Sequence, residues 1–266
     1  MVGPTLSRIE MFPVKSLDGK VLQEAVLLPS GALKGDRQYA ILDARGRFVN
    51  GKHDPLVHRL RATFSEDLTT ITLGIQGFQQ RETFSLAGDR APLERWLSEY
   101  FDRPVTVREN TETGFPDDLN APGPTLVTAA TLKAVAEWFP NLDLAEIRRR
   151  FRTNLEVGET AAFWEERLYD KAKGSVPFRV GAVTLLGINP CQRCIVPTRD
   201  SSDGTADRGF QQQFVRHREA QLPPWADRER FDRFYKLAVN TRLAPDTQTR
   251  QIGVGDRVEL LAGRSL

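Results

Sequence analysis

Phe178-Arg-Val-Gly-Ala-Val-Thr-Leu-Leu186 runs directly towards Pro190-Cys-Gln-Arg-Cys194. The first stretch is apolar and rich in β-branched residues on both sides of a glycine, which predicts strand in a β-rich fold. The second holds the only two cysteines of the chain, three positions apart, immediately after that strand. Near the C-terminus Ile252-Gly-Val-Gly-Asp-Arg-Val-Glu-Leu-Leu261 echoes the strand before the cysteines, as if two related barrel strands each carry a glycine turn.

Working back from the cysteines, Asn154 to Val157 reads as another strand, preceded by two capped helices. Thr128 caps a helix with Leu132, Val135, Ala136 and Phe139 on one face, stopped by Pro140. Asp143 caps a shorter one, with Glu146 three residues on and the basic run Arg148 to Arg152 at its end. Arg148 and Arg149 there complement the helix dipole and make surface salt bridges. The pattern is helical again at 210–219 and 227–237, and Trp164 reads as core.

The first hundred residues alternate short apolar runs with turn formers. Strands are expected at Leu6 to Met11, Val21 to Leu28, Gln38 to Leu42, Thr69 to Ile75, Glu82 to Leu86 and Val105 to Arg108. Between them Leu93, Trp96, Leu97, Tyr100 and Phe101 fall on one face of a helix over Ala91 to Phe101. From Glu109 to Pro124 the chain is polar and turn-rich, the composition of a boundary or long loop. The fold class expected is α+β and β-dominated: a small N-terminal barrel or sheet domain over 1–115, and a C-terminal β-barrel with peripheral helices over 116–266. Strands of the first part are free to complete a shared core.

The 266 residues are 40% hydrophobic, enough for real cores, and 37 Lys and Arg against 35 Asp and Glu leave a net charge of +2. That balance excludes the long-range field that draws a protein to nucleic acid or anionic lipid, so a positive site must be local. No apolar run approaches a membrane span and no leader pattern opens the chain, which predicts a cytoplasmic protein without a membrane partner. No P-loop, dinucleotide loop or EF-hand is present, and the three histidines form no catalytic constellation.

The cysteine pair has several readings. Zinc would need a second ligand pair, and His53, His58 and His217 are scattered. A thioredoxin dithiol would need a helix start inside a βαβ unit, whereas strand and loop flank this pair. Two small buried hydrophobes are the plain alternative. Arg193 and Arg199 near Cys194 favour a thiolate, a soft metal ligand, although one thiolate cannot hold a bare metal without helpers.

Four motifs stand in order. Phe12-Pro-Val-Lys-Ser16, Ala32-Leu-Lys-Gly-Asp-Arg37, Arg150-Phe-Arg-Thr-Asn154 and Pro190-Cys-Gln-Arg-Cys194 with Thr198 and Asp200 make the chain resemble the MOSC family over nearly its whole length, including that family's N-terminal β-barrel partner. Departures are Ala32 for Gly, Thr153 for Pro, and Pro197 and Arg199 for a Thr and a small apolar residue.

In the amidoxime-reducing components and their bacterial relatives, a pterin-bound molybdenum is held by one protein thiolate. The resemblance therefore implies molybdenum cofactor, the molybdopterin form, with Cys194 as metal ligand and catalytic residue. It implies that Lys15, Ser16, Arg37, Arg152 and Asn154 line the pterin and its phosphate, with Gln192 and Arg193 beside the metal. Asp36 and Asp200 are candidates for orienting the arginines. The activity implied is an oxidoreductase that reduces N-hydroxylated or N-oxide small molecules by oxygen-atom transfer. With no cysteines left for an iron–sulfur cluster, electrons would come from a separate iron–sulfur or flavin reductase. The alternative is a sulfur carrier bearing a persulfide on Cys194.

Overall fold

The computed structural model of the chain describes residues 3–170, 174–245 and 247–261. In chain order the strands and helices are β1 (Thr5–Met11), β2 (Lys20–Leu22), β3 (Glu24–Val26), β4 (Tyr39–Asp43), β5 (Leu60–Phe64), β6 (Thr70–Ile75), β7 (Arg81–Ser85), α1 (Ala91–Tyr100), β8 (Val105–Glu109), β9 (Leu126–Thr128), α2 (Ala129–Glu137), α3 (Leu144–Phe151), β10 (Leu155–Gly158), β11 (Val176–Val180), β12 (Val183–Gln192), α4 (Phe210–Ala220), β13 (Lys236–Leu243), β14 (Gln251–Gly253) and β15 (Val258–Leu260). Strand outweighs helix, and the fold is the α+β, β-dominated one expected from the sequence.

The Phe178 to Leu186 stretch spans the end of β11, a glycine turn and the start of β12. Phe178 stands opposite Leu185 and Val180 opposite Val183, and all four are fully buried. Each such side chain contributes roughly 1.5–3 kcal/mol on leaving water. Around them the large sheet runs β15-β11-β12-β13-β9-β10-β1-β2, antiparallel except for the β9–β10 pair.

β1 and β2 belong to this sheet, so the start of the chain completes the core of the second half: Ile9 pairs with Leu155. The Val21 to Leu28 run is two strands, because β2 stays on β1 while β3 leaves to pair with β14, Ala25 against Ile252. A second core forms inside the first half, where α1 sets Leu93 and Leu97 among Ile41, Leu73 and Val107. A third lies under α2, α3 and α4, around Phe151, Phe210 and Phe214. Trp164 is partly buried against the first core.

The helix expected over 227–237 is absent. Only a short turn at Arg228–Arg230 is helical, and β13 begins at Lys236. Phe231, Phe234 and Tyr235 imitate helical spacing, yet Phe231 enters the core of the large sheet and Tyr235 enters the helical core. One helix face cannot serve both cores.

β12 bends as it approaches the cysteines, and Gly187 marks the place. A Cβ on Gly187 would fall 1.8 Å from the Leu168 carbonyl oxygen, and the register against β13 shifts just beyond it and again after Pro190. Such irregularities re-aim the chain at functional sites. Among the described residues no helix is long and apolar enough to cross a membrane.

Candidate functional site

A cavity of about 450 Å³ lies where the loop after β1, the 32–37 turn, the 113–123 segment, the end of α3 and the end of β12 meet. Its volume is that of a small-molecule site, for which roughly 300–1,000 Å³ is usual. Lys15, Ser16, Arg37, Arg152, Asn154, Gln192, Arg193 and Cys194 all line it, brought together from positions far apart in the chain. The polar 109–124 stretch, expected as a boundary or loop, closes one side through Pro116, Asp117 and Pro122.

Three of these residues have left-handed backbone: Ser16 at φ 76°, Arg37 at φ 48° and Arg152 at φ 51°. For residues other than glycine that conformation costs on the order of 1–3 kcal/mol and persists only where the surroundings impose it. The Arg37 N–H donates to the Phe12 carbonyl at 2.7 Å, its own carbonyl accepts from Phe115 N–H at 2.8 Å, and Arg152 N–H closes α3 on the Arg148 carbonyl at 2.9 Å. Gly114, at φ +63°, lets the covering segment approach, since a Cβ there would lie 2.5 Å from the Asp36 carbonyl oxygen.

The charges at the β1 end are wired together. Asp36 pairs with Arg37 while its Oδ1 accepts from Phe12 N–H at 2.8 Å and from Asn154 Nδ2 at 3.1 Å. Burial works against the Arg37 charge, but Asp36 and Asp117 together outweigh it and hold the pKa above its ordinary value. Asn154 spends its whole amide inside the wall: Nδ2 also donates to the Glu10 carbonyl, and Oδ1 accepts from Thr125 N–H and Oγ1. Lys15, buried, donates to the Phe115 carbonyl at 2.9 Å and to Asp117 at 2.8 Å; burial lowers its pKa.

Arg152 differs. It has no carboxylate within 4.0 Å among the described residues, and its Nη2 is buried without a hydrogen-bond partner. Burial, then the neighbouring Arg37 charge, bring its pKa down to about 10. Both guanidiniums sit over the Phe12 ring, Arg152 at 4.1 Å and Arg37 at 5.5 Å from its centre. An unpaired buried donor costs roughly 1–3 kcal/mol, which an anionic ligand in the cavity would relieve.

At the other end both cysteines are free and half-buried. The Arg193 Nη1 donates to Cys191 Sγ at 3.2 Å, and its Nη2 donates to the Phe151 carbonyl. Its backbone N–H donates to the Tyr235 carbonyl at 3.0 Å, which fixes the Cys191–Cys194 turn against β13. Gln192 is exposed. Among the described residues no three His, Cys, Asp or Glu side chains group as a metal site, so the chain offers a metal here a thiolate and little else.

Sequence reasoning did not assign Phe12, Cys191 or His58 to the cavity. Phe12 was visible only as the aromatic of Phe12-Pro-Val-Lys-Ser16, and His58 carried no signal because its neighbours come from distant loops. Asp36 holds Arg37, as its position suggested. Asp200 lies 4.0 Å from Arg150, so it faces a different arginine. Arg148 is bidentate to Glu156 at 2.8 Å and Arg149 pairs with Glu146, as a salt-bridged helix end should.

The MOSC N-terminal beta barrel domain matches residues 3–104, and the MOSC domain matches residues 125–259. This chain belongs to the MOSC domain family. MOSC domains are associated with molybdenum cofactor sulfurases and molybdenum cofactor binding proteins. No curated protein matches the chain. In this MOSC protein the cavity draws on both matched regions, with Lys15, Ser16 and Arg37 from the first and Arg152, Asn154 and Cys194 from the second.

Proposed function

We propose that this MOSC protein binds a molybdenum-carrying, phosphorylated pterin and reduces N-hydroxylated or N-oxide small molecules, with Cys194 as the protein ligand to the metal. The observation that carries this reading is one cavity holding both a free thiol and a buried, unpartnered guanidinium nitrogen on Arg152. Those are the two groups a soft metal and a phosphate each require, and they fit the cofactor.

When bound, the cofactor supplies a dithiolene sulfur pair and a two-electron redox centre. The chain supplies the rest. Lys15, Ser16, Arg37 and Arg152 receive the phosphate, whose charge of about −1.5 to −2 satisfies Arg152 and offsets its repulsion from Arg37. Asn154 and Asp36 hold that wall in place, and Gln192 and Arg193 flank the thiol. The net reaction for a hydroxylamine is R–NHOH plus two electrons and two protons giving R–NH2 and water. The electrons come from a separate iron–sulfur or flavin reductase.

The test is turnover in a host that makes the cofactor. Purified wild-type protein should reduce a simple aryl amidoxime with a reduced viologen dye as donor, and Cys194→Ser should not. A molybdenum-loaded wild-type preparation that leaves amidoximes, hydroxylamines and N-oxides unreduced would contradict the reductase reading.

A further inference from the structure

The cations lining the cavity fall into two sets. Arg152, Arg193 and Arg199 have no carboxylate within 4.0 Å among the described residues, while every other lysine or arginine of the lining pairs with one. The same three each bury a guanidinium nitrogen without a hydrogen-bond partner among the described residues: Nη2 of Arg152, Nε of Arg193 and Nε of Arg199. Such groups mark where a ligand supplies the acceptor.

Arg152 stands with Arg37 over Phe12, at the corner assigned above to the cofactor phosphate. Arg199 belongs to another corner. It follows the short Val196–Thr198 turn after Cys194, and its Nη1 donates to the Gly204 carbonyl at 3.0 Å, which fixes the guanidinium. His58 lines the same cavity, and burial, then the charges of Arg199, Arg152 and Arg61, lowers its pKa. The His58 Nε2 lies 3.2 Å from the Gly51 carbonyl, and a carbonyl only accepts, so Nε2 carries a hydrogen and Nδ1 is left to take up a proton and donate it to an anion. Arg61 closes this corner by donating to the His58 and Ser201 carbonyls.

We propose that Arg199 and His58 form a second anion subsite in this cavity, which receives a carboxylate or phosphate carried by the substrate. The chain then prefers anionic N-hydroxylated compounds. Arg199 lies five positions beyond Cys194 and lines the same cavity. Assignment of that anion to the substrate rests on the reductase reading; the anion subsite does not. The same chemistry could be met by a second phosphate on a nucleotide-extended cofactor.

The test uses the purified protein with its bound cofactor, labelled at histidine for NMR. Inorganic phosphate should shift the His58 resonances and raise their titration midpoint. Arg199→Leu should abolish this response at unchanged molybdenum and pterin content, and Arg199→Lys should keep part of it. A His58 that ignores phosphate, or a leucine variant that responds like wild type, overturns the subsite. Between two N-hydroxylated substrates that differ by one carboxylate or phosphate, wild type should favour the anionic one about 10-fold or more in kcat/KM, mainly through KM. Arg199→Leu should bring the two to near parity. Equal preference in wild type, or release of a dinucleotide form of the pterin, overturns the assignment to substrate. Absence of molybdenum with an intact His58 response would sink the reductase reading while the anion subsite stands.

Discussion

Asp36 and Asn154 meet at 3.1 Å across 118 positions of sequence, the carboxylate accepting from the amide. Through its other oxygen Asp36 pairs with Arg37, so one carboxylate ties the start of the chain to the end of α3 and aims an arginine into the cavity. Removing it leaves a buried cation and the Phe12 N–H without their partner and takes from Asn154 Nδ2 one of its two acceptors. Asp36→Ala should therefore cost about 3 kcal/mol of stability. Urea denaturation of the single variants and of the Asp36→Ala, Asn154→Ala double variant checks this, and the double should lose less than the sum.

Arg152 carries an unpaired charge beside Arg37, with its pKa pushed down to about 10 first by burial and then by that neighbour. A cation depressed in the folded state opposes folding at every pH below its folded value. Arg152→Met should then stabilise the chain freed of cofactor by about 1–2 kcal/mol at neutral pH while lowering its pterin content. Thermal melting of wild type and variant freed of cofactor, and pterin fluorescence of the two proteins as purified, read the opposite signs.

Glu165 is buried with its carboxylate accepting from Thr128 and Thr131 hydroxyls at 3.1 and 3.0 Å, near Arg218, which pairs with Glu166. Burial raises its pKa to about 7, against an ordinary value of 4.5. The folded chain thus holds a proton that the unfolded chain has lost between those values. This contribution is full below about pH 4.5 and is lost as pH rises towards 7, on the order of 3 kcal/mol in all. Denaturation midpoints followed across that range should fall for wild type and run flatter for Glu165→Gln.

Gly187 sits where β12 passes the Leu168 carbonyl, and a Cβ there would lie 1.8 Å from that oxygen. Gly187→Ala should destabilise the protein by roughly 3 kcal/mol, because backbone must move on one side or the other. Hydrogen exchange should show the loss concentrated at β12 and the cysteine turn that follows it.

The parts of this fold legible in the sequence are those whose stabilisation is local. Thr128 and Asp143 cap helices because their side chains accept from N–H groups three residues on, a relationship contained in a few residues. The strands β5 and β9 were missed. Leu60–Phe64 and Leu126–Thr128 are short, and what makes them strands is a partner: β6 for one, β10 and β13 for the other. The 227–237 segment misled because its aromatics are spaced like a helix while serving two separate cores. At the site, the residues that the motifs named come from distant positions and line one cavity. The motifs could not show that Asn154 is spent on the wall, that Phe12 underlies two arginines, or that His58 and Arg199 line the same cavity.

The central claim is that Cys194 holds a molybdenum delivered by a phosphorylated pterin. Metal analysis together with pterin release, on wild type and Cys194→Ala purified from a host that makes the cofactor, tests it most directly. Wild type should carry molybdenum and a phosphorylated pterin, and the alanine variant should lose the metal. Wild-type protein with no molybdenum above background, and a reductant-removable adduct of one sulfur on Cys194 by mass spectrometry, would contradict it.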